Sequence, residues 1–165
     1  MDPQNALEST GFMLASGAQS MIKKYEAELS KMTGKLLNFG AEEGKAAGIK
    51  LSGNLFLLCL TVGLADALAL AKVQGIQPSE FLKLFNNRNP DAMVPARLKK
   101  ITKAKFNEPL WELNMARKDA GFMLSAANNT GTNLAAIPAI ATAMDACIAK
   151  GHGNDDWSVI AKDGL

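Results

Sequence analysis

The sequence predicts a mostly α fold, a multi-helix domain built around one long central helix and preceded by a small strand–helix–strand unit. Three observations carry that prediction. A long helix is expected from about Glu42 to Gln74, containing the apolar stretch Leu51–Ala71 and ending at Gly75. Convincing strand patterns occur only before Ala41. Beyond it, apolar residues recur at helical spacing between Pro, Gly and Asn breakers.

In chain order, Gly11 to Ser16 reads as a short strand ending at Gly17, and Ser20 to Lys31 as an amphipathic helix with Met21, Tyr25 and Leu29 four apart. Gly34 stops that helix, and Lys35 to Phe39 reads as a second strand closed by Gly40. Two strands and one helix cannot bury both faces of a sheet, so this piece calls for further strands. After the long helix, Pro78 opens a short helix through Phe85, and Asn86 to Pro90 is turn chemistry. Helices follow over about Asp91–Lys103, Trp111–Asn128 and Pro138–Lys150. A last short helix starts after Gly151-His152-Gly153, with Asp155 or Asp156 as its cap and Trp157 as its apolar anchor.

Composition bounds the function. The chain has 165 residues, 48% hydrophobic and 21% charged, which suits one domain or slightly more of a globular protein. Eighteen Lys and Arg against sixteen Asp and Glu is too balanced for a protein that binds nucleic acid by neutralising phosphates. Cys59 and Cys147 lie in apolar stretches and read as reduced core thiols of a cytoplasmic protein, and the eight methionines as core filler. One histidine, His152, builds no metal site; it reads as a hydrogen-bonding partner in the final turn. MDPQNALEST lacks the basic flank and apolar run of a signal peptide. Leu51 to Ala71 approaches the length of a bilayer span, but Asp66 within it would cost about 2.5–3.5 kcal/mol near mid-membrane. Burial at the centre of a helical domain is the better home for it, with no membrane involved.

Gly44 to Asn54 holds the strongest chemical signal. Lys50 and Asn54 are four apart and project from one helix face. Ala46, Ala47, Gly48 and Gly53 leave little bulk beside them, and each glycine inside a helix costs about 1 kcal/mol against alanine, which asks for a packing or ligand reason. An ammonium partly removed from water exchanges protons near neutrality, and an amide one turn away can orient a substrate oxygen. A surface lysine beside a satisfied amide is the plainer reading of the spacing alone. Asp66 lies roughly 160° around the helix from Lys50 and reads as a hydrogen-bonded buried acid. Arg97, Lys99, Lys100, Lys103 and Lys105 read as a solvated helix face, or as a contact for an anionic cofactor or partner.

These residues resemble the β-hydroxyacid dehydrogenase family, which includes 3-hydroxyisobutyrate dehydrogenases. Gly44 to Asn54 resembles its catalytic helix, with Ala46 in place of a second glycine. Trp111 to Asp119 resembles its aromatic-to-Lys-Asp helix, and Gly151 to Ser158 its closing Gly-His-Gly…Asp-aromatic-Ser turn. The resemblance implies that residues 41–165 are a helical substrate and dimerisation domain, and residues 1–40 the tail of a dinucleotide-binding (Rossmann) domain. It implies hydride transfer between NAD or NADP and a short β-hydroxy acid or its semialdehyde. Lys50 would be the catalytic proton donor and Asn54 a substrate ligand. Lys118 would reach the cofactor or substrate in the cleft, and Asp119 would help position that helix at the cofactor side. Related imine reductases usually lack the lysine.

The chain has no G-x-G-x-x-G, so the main cofactor-binding half is not in these residues, nor is the family's Ser-Gly-Gly substrate loop. Two expectations follow. Lys50 should face a crevice whose opposite wall comes from another stretch of polypeptide, and the chain alone should be inactive and self-associate as a homodimer. The alternative is a non-enzymatic helical interaction module descended from such an enzyme.

Overall fold

The computed structural model describes residues 3–87 and 90–165. The chain divides into two compact units, residues 1–58 and 59–165, and the long helix contributes to both.

In the first unit, a short helix α1 (Pro3–Leu7) precedes strand β1 (Phe12–Ala15), helix α2 (Gln19–Lys31) and strand β2 (Lys35–Asn38). The sequence pattern did not suggest α1. The strands pair in parallel, with Phe12 opposite Lys35 and Ala15 opposite Asn38. A parallel pair needs a crossover, which α2 supplies. Gly34 lies where an added Cβ would come 3.1 Å from the Gly11 backbone, so the entry to β2 passes too close for a side chain. The buried Thr33 hydroxyl donates to Gly11 O nearby, at 3.2 Å.

Helix α3 (Lys45–Val73) begins three residues later than the sequence suggests. Gly44 adopts φ +80° just before it, and Ser16 Oγ accepts the Ala46 N–H at 3.0 Å, capping the first turn from the end of β1. It ends at Gly75, whose φ of +73° supplies the left-handed residue that closes a helix.

In the second unit, α4 (Pro78–Asn87) runs two residues beyond the expected Phe85. Glu80 accepts the Gln77 N–H at 3.0 Å, half of a capping box. The expected turn over Asn86–Pro90 falls partly on Arg88 and Asn89, outside the described residues. A 3-10 turn (Pro90–Ala92) leads into α5 (Met93–Thr102), so the expected helix from Asp91 opens as a tighter turn. Helices α6 (Leu113–Asn128) and α7 (Ile137–Ala149) and a 3-10 helix (Trp157–Gly164) complete the unit.

The core sits where α6, α7 and the closing 3-10 helix meet. Phe106, Leu113, Met144 and Val159 are buried there with Ala116, Ala120 and Ala141. Ala116 and Ala120 are one turn apart on α6, and their small side chains let α7 approach closely. Arg117 Nε and a terminal nitrogen reach Asp145 at 2.7 and 3.0 Å, tying α6 to α7 at the surface.

Three sequence expectations are corrected. The long helix is not buried in this chain: its most apolar window is only 6% buried, and Ala71 is its one buried residue. Leu51, Leu55, Phe56, Leu57, Leu58 and Leu60 are exposed. An all-round apolar pattern states that a helix wants cover but not where the cover comes from. Cys59, on the same helix, is exposed rather than a core thiol, while Cys147 packs against the core. Among the described methionines only Met144 is buried; Met21, Met32, Met93 and Met115 are exposed.

Candidate functional site

Lys50 and Asn54 lie one turn apart on α3, both exposed. Gly48 and Gly53 have no heavy atom within 4 Å of an added Cβ, so among the described residues nothing packs against these two glycines. Neither Lys50 nor Asn54 lines the cavities beside Lys99 and Lys103, beside Lys72 and Gly75, or beside Arg97 and Trp157. The expected removal of the Lys50 ammonium from water is therefore not provided by this chain. The physical reason is the same as for the apolar residues of α3: its surface has no cover from these residues.

Lys118 and Asp119 sit on α6, the first exposed, the second half-buried. The Lys118 ammonium lies 5.9 Å from the Phe122 ring centroid and forms no ion pair among the described residues. Lys50 and Asn54 belong to the first unit, Lys118 and Asp119 to the second.

Two aspartates that the sequence assigned lesser parts organise the second unit. Asp66 is half-buried rather than buried, and its carboxylate accepts the N–H groups of Ala135, Ala136 and Ile137 at 2.7, 2.8 and 3.1 Å. It thus caps α7 from another helix. Partial burial pushes its carboxyl up, but the three backbone bonds outweigh that and hold it below the ordinary carboxylate range.

Asp156 is 3% exposed and collects four bonds. Lys100 Nζ lies 2.7 Å from its Oδ2, and the Leu110 N–H donates to the same oxygen at 3.0 Å. The Ser158 hydroxyl and N–H donate to Oδ1 at 2.6 and 3.1 Å. Burial raises this carboxyl, yet the Lys100, Ser158 and Leu110 bonds together drive it far below the usual range. Lys100 is accordingly not part of a solvated face. It is 19% exposed and also donates to Glu108 O at 2.7 Å.

The Gly-His-Gly turn is structural in the same sense. Gly153 O and Asp155 O accept the Asn114 and Leu113 N–H groups that open α6. His152 Nδ1 is 2.7 Å from Asp155 Oδ2, so the histidine holds the turn as expected. Sequence reasoning offered Asp156 as a possible helix cap, which it is, but missed its Lys100 partner 56 residues earlier and the Arg117–Asp145 pair.

A family model described as the C-terminal domain of NADPH-dependent reductive aminase-like proteins matches residues 42–163. The chain belongs to the reductive aminase-like C-terminal domain family. Among curated relatives, an uncharacterized oxidoreductase of Bacillus subtilis is 19% identical over 160 residues, covering 97% of this chain and 56% of the relative. L-threonate dehydrogenase of Cupriavidus necator is 24% identical over 151 residues, covering 91% of this chain and 50% of the relative. Among solved structures, an imine reductase variant from Myxococcus stipitatus in complex with NAD+ matches with a TM-score of 0.91 at 17% identity, over 100% of this chain and 59% of that one. A reductive aminase from Aspergillus terreus, in complex with NADPH and ethyl levulinate, matches with a TM-score of 0.81 at 17% identity, over 95% and 56%. This reductive aminase-like domain spans about half the length of the curated relatives it matches. The mostly α architecture with its N-terminal strand–helix–strand thus has the fold of the matching part of the solved imine reductase and reductive aminase. The family description and the bound nucleotides of the neighbours agree with the nicotinamide cofactor expected from the sequence.

Proposed function

We propose that this chain supplies the helical half of the cleft of an NAD(P)-dependent oxidoreductase, and that it is inactive without a dinucleotide-binding half. The observation that carries the reading is Lys50 one turn from Asn54 on α3, beside Gly48 and Gly53 that no described residue covers, in a member of a reductase family. When bound, the nicotinamide supplies or accepts the hydride. Lys50 donates a proton to the carbonyl oxygen of the substrate in reduction and takes the hydroxyl proton in oxidation. Asn54 holds the substrate by accepting from its hydroxyl or donating to its oxygen. Lys118, an exposed cation without a carboxylate partner among the described residues, fits a role at the cofactor or substrate, and Asp119 positions α6. Residues 1–40 are the tail of the dinucleotide-binding domain and residues 41–165 the substrate and dimerisation domain; the parallel β1–α2–β2 unit supports this division.

The substrate we favour is a short β-hydroxy acid or its semialdehyde. Lys50 and the likeness to a threonate dehydrogenase support it, whereas the reductive aminase neighbours favour an imine or ketone with an amine. A second copy of the chain covers α3, forming a homodimer without membrane or nucleic acid, and the free thiols suit the cytoplasm. The test is complementation. A separately produced dinucleotide-binding domain is added to the chain with NADPH and either a small semialdehyde acid or a cyclic imine, and cofactor oxidation is followed. Turnover that Lys50→Ala abolishes supports the enzyme reading, and the preferred substrate decides between the two classes. The exposed apolar surface of α3 favours the second reading, a helical interaction module. That reading gains if complementation fails while the chain forms a stable complex through α3.

A further inference from the structure

The basic run on and after α5 is the motif that the proposed function leaves unused. Two adjoining cavities of about 520 and 370 Å³ lie along it, sharing Ala96, Lys100 and Leu110. The larger is bordered by Lys99, Lys103 and Lys105, with Glu108 as its only carboxylate. The smaller is walled by Arg97, Trp111 and Trp157 above the buried Asp156.

Charge is concentrated here. The linings hold five cations against two carboxylates, an excess of three in one groove of a chain whose whole excess is two. Lys100 is already satisfied by Asp156, and Lys105 makes only an exposed pair with Glu108 at 3.4 Å, the kind that contributes little. Lys99 and Lys103 form no ion pair among the described residues. An anion seated between these ammoniums would relieve their mutual repulsion. The smaller cavity offers flat surfaces: the Arg97 guanidinium lies 4.5 Å from the Trp157 ring centroid, and Trp111 meets Trp157 edge-on at 5.9 Å. Such a wall receives a planar ring by stacking on the guanidinium or the half-exposed Trp111 indole.

We propose that this cleft binds a small aromatic phosphate ester, its phosphate among Lys99, Lys103 and Lys105 and its ring against Arg97 and Trp111. The site lies wholly in the second unit and does not depend on Lys50.

Both tryptophans of the chain line the cleft, so intrinsic fluorescence reports on it directly. The full chain is titrated with phenyl phosphate and with adenosine monophosphate, and separately with phenol and inorganic phosphate. A saturable fluorescence change is expected with at least one ester, and its dissociation constant should be at least tenfold lower than for phenol or phosphate. The tighter of the two esters names the ring system. The double variant Lys99→Ala/Lys103→Ala should raise that constant at least tenfold and leave the ligand-free melting temperature unchanged. A response that does not saturate, that sodium sulfate reproduces at matched ionic strength, or that survives the double variant overturns the proposal. Binding seen only with an oligonucleotide or with anionic vesicles overturns it as well.

Discussion

Lys100 and Asp156, 56 residues apart in sequence, form a 2.7 Å ion pair that joins α5 to the closing turn of the second unit. Asp156 N–H donates to Phe106 O and Trp157 N–H to Trp111 O, so the same short segment also ties down the strand-like approach to α6. The Gly151–Ser158 turn, which resembles the closing turn of the β-hydroxyacid dehydrogenases, is here a junction of backbone and charge.

Removing one partner of a buried pair leaves the other uncompensated, at a typical cost of about 3–5 kcal/mol. Asp156→Ala should therefore lower the unfolding free energy by about 3 kcal/mol or more in urea titration. Loss of the Ser158 and Leu110 bonds adds to it.

Acid should act through the same groups. Both Asp156 and Asp66 have carboxyls held below their ordinary values in the folded state. The unfolded chain takes up these protons first, at about pH 4, so stability is full above that value and falls as pH drops below it. Urea midpoints measured from pH 6 to pH 2 should decline from about pH 4, and Asp156→Asn should flatten the decline.

Helix capping gives a smaller, separate effect. Asp66→Ala releases three N–H groups at the start of α7 and should cost about 1–2 kcal/mol by the same titration. Arg117→Ala, which breaks a pair with the half-exposed Asp145, should cost less than about 1 kcal/mol.

The uncovered apolar surface of α3 makes the assembly testable. Leu55→Glu/Leu58→Glu places two charges on its exposed residues and should turn the proposed dimer into a monomer in sedimentation velocity. Cys59 should react with a maleimide faster in the variant than in the parent chain.

Much of this molecule is legible in the sequence, for local reasons. Alternating and helical patterns between glycines located β1, α2 and β2 to within a residue or so, and Gly75 ended α3 because a left-handed residue was needed there. Gly44 hid the true start of α3, since its φ of +80° is a backbone state that apolar periodicity does not report. Lys100 looked like a solvated lysine because its partner lies far along the chain, and nothing within one helix turn announces Asp156. The burial expected of α3 failed for a related reason. Its residues demand cover, but a single chain's pattern carries no information on which surface provides it.

The proposed role of Lys50 is to transfer the proton in a cleft shared with a dinucleotide-binding domain. Its most direct measurement is the rate of NADPH oxidation by this chain with a complementing dinucleotide-binding domain, compared between the parent and Lys50→Ala at saturating substrate. Turnover is expected in the parent, and a loss of about a hundredfold or more in the variant, with complex formation intact. Equal rates in the two proteins would contradict it.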